Sequence, residues 1–182
     1  MANNHGYIST IRATCENVDA FNCVGTIASD IDNGTVVTLS KMVQDSKKNV
    51  EGFEFEVAKA NASTKYADAW VVVTPEVGDS LEMQLLNDPR YFYNKAGKPL
   101  SLKKLHADTD YIEADANCFT SVALPSDEET VVTVDSNGKF VAGSSAPAAN
   151  LIYWDVVGFH EVAVGSETMK TVILRTRVST GA

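Results

Sequence analysis

A chain of 182 residues, 45% of them hydrophobic, has the length of one domain and enough apolar mass for a sizeable core. Its formal net charge of -9 argues against general duplex-DNA binding, which depends on clustered cations that neutralise phosphates. No stretch approaches the roughly 20 consecutive apolar residues of a membrane-spanning helix, so no membrane association is expected.

In chain order, residues 1–9 read as an N-terminal arm ahead of a single β-rich domain over 10–182. The opening Met-Ala-Asn-Asn-His-Gly-Tyr has neither a cationic start nor an apolar run, so no secretion signal is expected. Tyr7–Ala13 is the first strand candidate. Cys15, Cys23 and Cys118 are odd in number and lack Cys-x-x-Cys spacing, which suits reduced, small hydrophobes; a Cys15–Cys23 bridge is the alternative. Asp32-Asn33-Gly34 is a turn signal just before a strand at Thr35–Leu39. Phe53, Phe55 and Val57 then alternate with Glu54 and Glu56, the period of a strand with one buried face. Ala69–Thr74 is the next strand candidate.

Residues 76–107 form a long irregular insert. Acids, leucines and aromatics surround Asp88-Pro89, with a two-turn helix predicted at most over Ser80–Leu86 and a strand over Leu100–Leu105. Beyond it, Tyr111–Ala114 and Cys118–Ala123 read as strands. Val131–Asp135 and Lys139–Ala142 flank Ser136-Asn137-Gly138, a hairpin signal because Asn and Gly tolerate positive φ. Residues 143–150 have the composition of a flexible connector. Tyr153–Val164 and Lys170–Val178 alternate around a reversal at Gly165-Ser166-Glu167. The predicted fold is mainly β, an antiparallel sandwich- or barrel-like domain whose final hundred residues form a meander.

Catalytic and metal-binding signals are weak. His5, His106 and His160 show no converging ligand spacing, and no cofactor is expected. His106 with Asp108 reads as a polar loop, and Cys118 as a buried structural thiol. A small enzyme built on Cys118 and His106 is the alternative from another class. Asp127-Glu128-Glu129 reads as a solvated charge cluster, because calcium loops space their ligands at alternate positions.

The chemically distinctive segment is 90–107. It carries Arg90, Lys95, Lys98, Lys103 and Lys104 with Tyr91, Phe92 and Tyr93, and no acid until Asp108. Three readings fit this composition. The rings could stack single-stranded bases, although the net anionic chain makes nucleic acid an unfavoured partner. They could anchor on an acidic protein surface while the lysines steer the encounter. The segment could instead fold back over its own sheet. The residues assigned to partner binding are Tyr7, Arg12, Arg90, Tyr91, Phe92, Tyr93, Lys95, Lys98, Lys103 and Lys104.

The order of several motifs resembles a known family. Val71-Val72-Val73-Thr74-Pro75-Glu76-Val77 is followed by Phe92-Tyr93-Asn94-Lys95-Ala96-Gly97-Lys98-Pro99-Leu100 and by Leu105-His106-Ala107-Asp108-Thr109-Asp110-Tyr111-Ile112. With Thr10-Ile11-Arg12-Ala13 and Asp32-Asn33-Gly34-Thr35-Val36-Val37, this series is similar to the head decoration or capsid-stabilising (cement) proteins of tailed bacteriophages, over residues 8–125. The chain departs at Ser101, where that pattern often carries Arg, and at Asp108-Thr109-Asp110, where it usually carries Gly-Asp. The resemblance implies a virion structural protein, made in the host cytoplasm and placed on the capsid exterior. It implies the major capsid protein as partner and a homo-oligomer, with a trimer favoured. The alternative within virion structure is a tail-tube or connector component.

Overall fold

The computed structural model describes residues 5–9, 22–43, 54–77, 89–143, 145–164 and 167–180. The first five strands are β1 (Asn22–Thr26), β2 (Val36–Met42), β3 (Glu54–Lys59), β4 (Ala69–Val72) and β5 (Leu100–Lys103). They close into a barrel in the order β1-β3-β2-β4-β5. The next five are β6 (Tyr111–Asp115), β7 (Val131–Val134), β8 (Phe140–Gly143), β9 (Ile152–Val164) and β10 (Glu167–Val178). They form a second sheet in the order β6-β10-β9-β7-β8. The mainly β expectation holds. The meander does not, because β10 lies between β6 and β9 in place of the sheet edge.

The barrel also departs from an all-antiparallel arrangement. β1 and β3 run parallel, Val24 beside Glu54 and Thr26 beside Glu56, while the other four neighbouring pairs are antiparallel. Parity explains this. Strand direction cannot alternate all the way round a closed ring of five strands, so one adjacent pair must run the same way. The long connection that a parallel pair requires passes through β2.

Neighbouring valines in β2 and β4 face different compartments. Val37 and Val72 point into the barrel with Ile31, Val57, Leu100 and Leu102. Val36, Ala69 and Val71 point the other way, into a larger core shared with Trp154, Phe140, Phe119, Val132 and Leu174 of the second half. A strand buried on both faces reads as a continuous apolar run, which is what Val36-Val37 and Val71-Val72-Val73 are. Barrel and sheet are thus joined by burial on the outer face of β2 and β4. At the centre of the shared core, Phe140 meets Trp154 edge-on at 5.0 Å and Phe119 at 5.6 Å. Aromatic pairs of this kind each add about 0.5–1.5 kcal/mol beyond the area they bury.

The start of the predicted Tyr7–Ala13 strand and the predicted flexible connector are both held in place. Ile8 is fully buried and forms a bridge with Ala114, and Ser9 N–H donates to Glu113 O at 2.9 Å. Residues 7–9 of the arm therefore extend the β6 edge. In the connector, Asn150 N–H donates to Ser179 O at 2.7 Å, and Ser179 Oγ donates to Pro147 O at 2.5 Å. The helix predicted over Ser80–Leu86 and most of the Tyr7–Ala13 strand lie outside the described residues.

Candidate docking surface

The segment from Pro89 to Pro99 is a short 3₁₀ turn (Pro89–Tyr91), an extended piece and a β-turn, bonded to the connection between β1 and β2. Two buried amides determine its course. Asn94, 5% exposed, exchanges backbone bonds with Ile31 at 2.8 and 3.0 Å, and its Nδ2 donates to Asn33 Oδ1 at 3.1 Å. Asn33 in turn donates from Nδ2 to Thr74 O at 2.8 Å and accepts from Thr74 N–H at 3.1 Å. This ladder ties together the turn before β2, the segment just past β4 and the insert. Satisfied polar groups at low exposure hold a unique geometry, because breaking any one strands another.

Beyond the ladder the chain reverses over Lys95-Ala96-Gly97-Lys98. Ala96 N–H donates to Asp30 Oδ1 at 2.9 Å, Gly97 N–H to Ile27 O at 2.8 Å and Lys98 N–H to Lys95 O at 3.1 Å. Gly97 has φ +70° with open space around it. The turn stands beside a cleft of about 220 Å³ lined by Thr74, Val77, Phe92, Tyr93, Asn94, Lys95, Lys98 and Pro99. Val77 is 75% exposed and Lys98 is exposed, giving an apolar hollow with cations on its rim.

Four of the ten assigned residues meet at this cleft: Phe92, Tyr93, Lys95 and Lys98. The others do not. Arg90 forms an ion pair with Glu167 at 2.5 Å, and Tyr91 is half-buried in the 3₁₀ turn. Lys103 lies within β5, in register with Asn22 on one side and Val71 on the other. Tyr7 is bonded to Asp115, with its N–H donating to Oδ1 at 2.9 Å and its carbonyl accepting from the Asp115 N–H at 3.0 Å. Arg12 lies outside the described residues.

Lys104 has a structural position. Its Nζ donates to Tyr66 O, Ala67 O and Ala69 O at 2.5, 2.7 and 2.9 Å, and lies 5.0 Å from the Tyr66 ring centroid. It draws these carbonyls together around the 3₁₀ turn Tyr66–Asp68, whose own closing bond runs from the Ala69 N–H to Tyr66 O. Burial pushes its pKa down to about 8, with Asp68 opposing.

The basic stretch is also less cationic in space than in sequence. Asp30 accepts from Ala96, and Asp32 lies 2.9 Å from His5, whose ring stacks on Tyr93 at 4.8 Å. With Phe92 buried and Tyr93 covered by His5, the three rings do not present a platform for successive bases. Thr74, Val77, Asn33 and Asn94 all lie in the motifs quoted above but are not among the residues assigned to partner binding, because their roles arise from contacts between distant segments.

The residues of the catalytic alternative have other partners. His106 lies beside Asp110 at 3.2 Å, while Asp108 is ion-paired with Arg177. Cys118 is buried in a 3₁₀ turn, packed against Gly6 and Gly34, with Sγ 3.2 Å from Tyr7 O. Burial, reinforced by Asp115, raises its thiol pKa well above the ordinary value, the opposite of what a nucleophile needs. Among the described residues, no group of three or more His, Cys, Asp or Glu is placed to hold a metal ion, and no helix is long and apolar enough to cross a membrane. Comparison with protein-family models, curated proteins and solved structures found no match.

Proposed function

We propose that this chain is a virion structural protein that decorates and stabilises a phage capsid, docking on adjacent major capsid subunits from outside the shell. The motif similarity supplies the role. The observation that supports it here is the Lys95–Lys98 turn, held rigid by the Asn33–Asn94 ladder beside an apolar cleft. A preorganised turn loses little conformational entropy on docking, so modest contacts suffice. Lysines on the rim of a chain that is acidic overall turn that rim toward an acidic partner. Many weak clamps acting together stabilise a lattice, because adjacent subunits must then separate against all of them.

The test is occupancy of empty capsids by the purified chain. Replacing Lys95 and Lys98 with Glu inverts the rim charge and is expected to weaken binding about 10- to 100-fold at physiological salt, with less effect at high salt. Wild-type occupancy by this variant would remove the turn from the contact. Particles lacking the protein are expected to lose shell integrity at lower temperature. Tailless but heat-stable heads would instead indicate the tail-tube or connector role.

A further inference from the structure

The β9–β10 hairpin outruns the sheet that carries it. β7 pairs with β9 at Trp154 and Asp155, followed by backbone bonds between Val156 and residues 129–130. β6 pairs with β10 only from Thr171 to Arg175. Further out, among the described strands, the two have only each other as neighbours, as far as Glu167 beside Val164. A register shift between Ile173 and Leu174 makes Val157 the extra residue of a bulge, which increases local twist.

The core row runs out along this extension. Phe159 lies opposite Val172, which is fully buried, yet Phe159 itself is 43% exposed. Next to it is a cleft of about 500 Å³, walled by Leu124 and Pro125 and lined along the hairpin by Phe159, His160, Glu161 and Lys170. The base of the hairpin here is rigid. Glu113, 2% exposed, accepts from Thr171 Oγ1 at 2.6 Å and lies 3.0 Å from His160 Nδ1.

Ring and hollow sit on one patch, and the charges beside them are balanced. Glu161 and Lys170 are cross-strand partners, one anion facing one cation. We infer that this patch is a self-association surface, where two copies of the chain pair about a two-fold axis and each seats Phe159 in the other's cleft. The same rotation brings Glu161 of one copy against Lys170 of the other, twice. A patch containing its own knob, hollow and opposite charges is self-complementary, as a two-fold contact requires. Two bodies of net charge -9 repel at long range, so a locally neutral apolar patch is where they can meet. The pairing does not depend on the capsid reading, and it differs from the trimer that the motif resemblance implies.

The test is the solution mass of the full chain without capsids, by sedimentation equilibrium over a concentration series. The wild type is expected at twice the 19.6 kDa chain mass. Phe159→Glu is expected to weaken pairing about 30-fold or more at unchanged circular dichroism. Glu161→Lys alone and Lys170→Glu alone are each expected to weaken pairing, since like charges then meet across the axis. An equimolar mixture of these two variants is expected to recover the two-chain mass. In the mixed pair, two cationic side chains on one copy meet two anionic side chains on the other. Within each variant the hairpin's own pair remains repulsive, so recovery can come only from contact between copies. A one-chain mass for wild type at every concentration, a three-chain mass, full association by Phe159→Glu, or no recovery in the mixture would each overturn the inference.

Discussion

Substitution of Gly138 by Ala tests how the two halves of the molecule are joined. Gly138 has φ +75° in the β7–β8 turn, and its carbonyl accepts from Val36 N–H of β2 at 2.8 Å. A Cβ there would lie 2.3 Å from Val36 O and 2.8 Å from Thr35 Cγ2. Val36 cannot easily yield, because it is fully buried and its carbonyl accepts from Ala60 N–H at 2.9 Å. The left-handed backbone costs an alanine about 1 kcal/mol. Moving the turn away breaks the bond to Val36 and leaves a buried N–H unsatisfied, about 1–3 kcal/mol more. The expected total is about 3 kcal/mol, or roughly a 10 °C fall in Tm for a chain of this length. Gly97→Ala is the control: φ is +70° but nothing lies within 4 Å of the added carbon, so only the backbone cost of about 1 kcal/mol remains. Thermal unfolding followed by circular dichroism measures both. Equal losses in the two variants would refute the close docking of the turn on β2.

Further outcomes follow from the buried polar groups. Lys104→Met removes the ammonium donor that three carbonyls share and should cost about 1–3 kcal/mol by urea titration at neutral pH. Because Lys104 has a folded pKa of about 8, below the unfolded value of 10.5, the unfolded chain binds the proton more tightly. From this group, stability therefore rises as pH increases between those values, a component that Lys104→Met should lack. Cys118, buried with a raised pKa, should resist alkylation in the native protein and react only on unfolding, as read by peptide mass mapping. Rapid native alkylation of Cys118 would restore the catalytic alternative. Asn94→Ala should loosen the Lys95–Lys98 turn, seen as faster hydrogen exchange at the Ala96 and Gly97 amides, at a stability cost of about 1–2 kcal/mol.

Local signals in the chain determined most of the strand content and several turns, but they missed β1 and read Cys118–Ala123, a 3₁₀ turn followed by a loop, as a strand. Phe55 and Val57 alternate with Glu54 and Glu56 as β3 requires, and Ser136-Asn137-Gly138 closes the β7–β8 hairpin. These features depend on period and on backbone tolerance, which neighbouring residues carry by themselves. Strand order, the parallel β1–β3 pair and the split of adjacent valines between two cores were decided only in the folded chain, by closure of a five-stranded ring and its packing on a second sheet. The docking surface divides in the same way. Composition singled out the basic, aromatic stretch, but it could not tell the exposed Lys98 at the cleft rim from Lys104, which is used up on backbone carbonyls. A charge is visible in one residue, whereas its availability depends on acceptors brought near it from elsewhere in the chain.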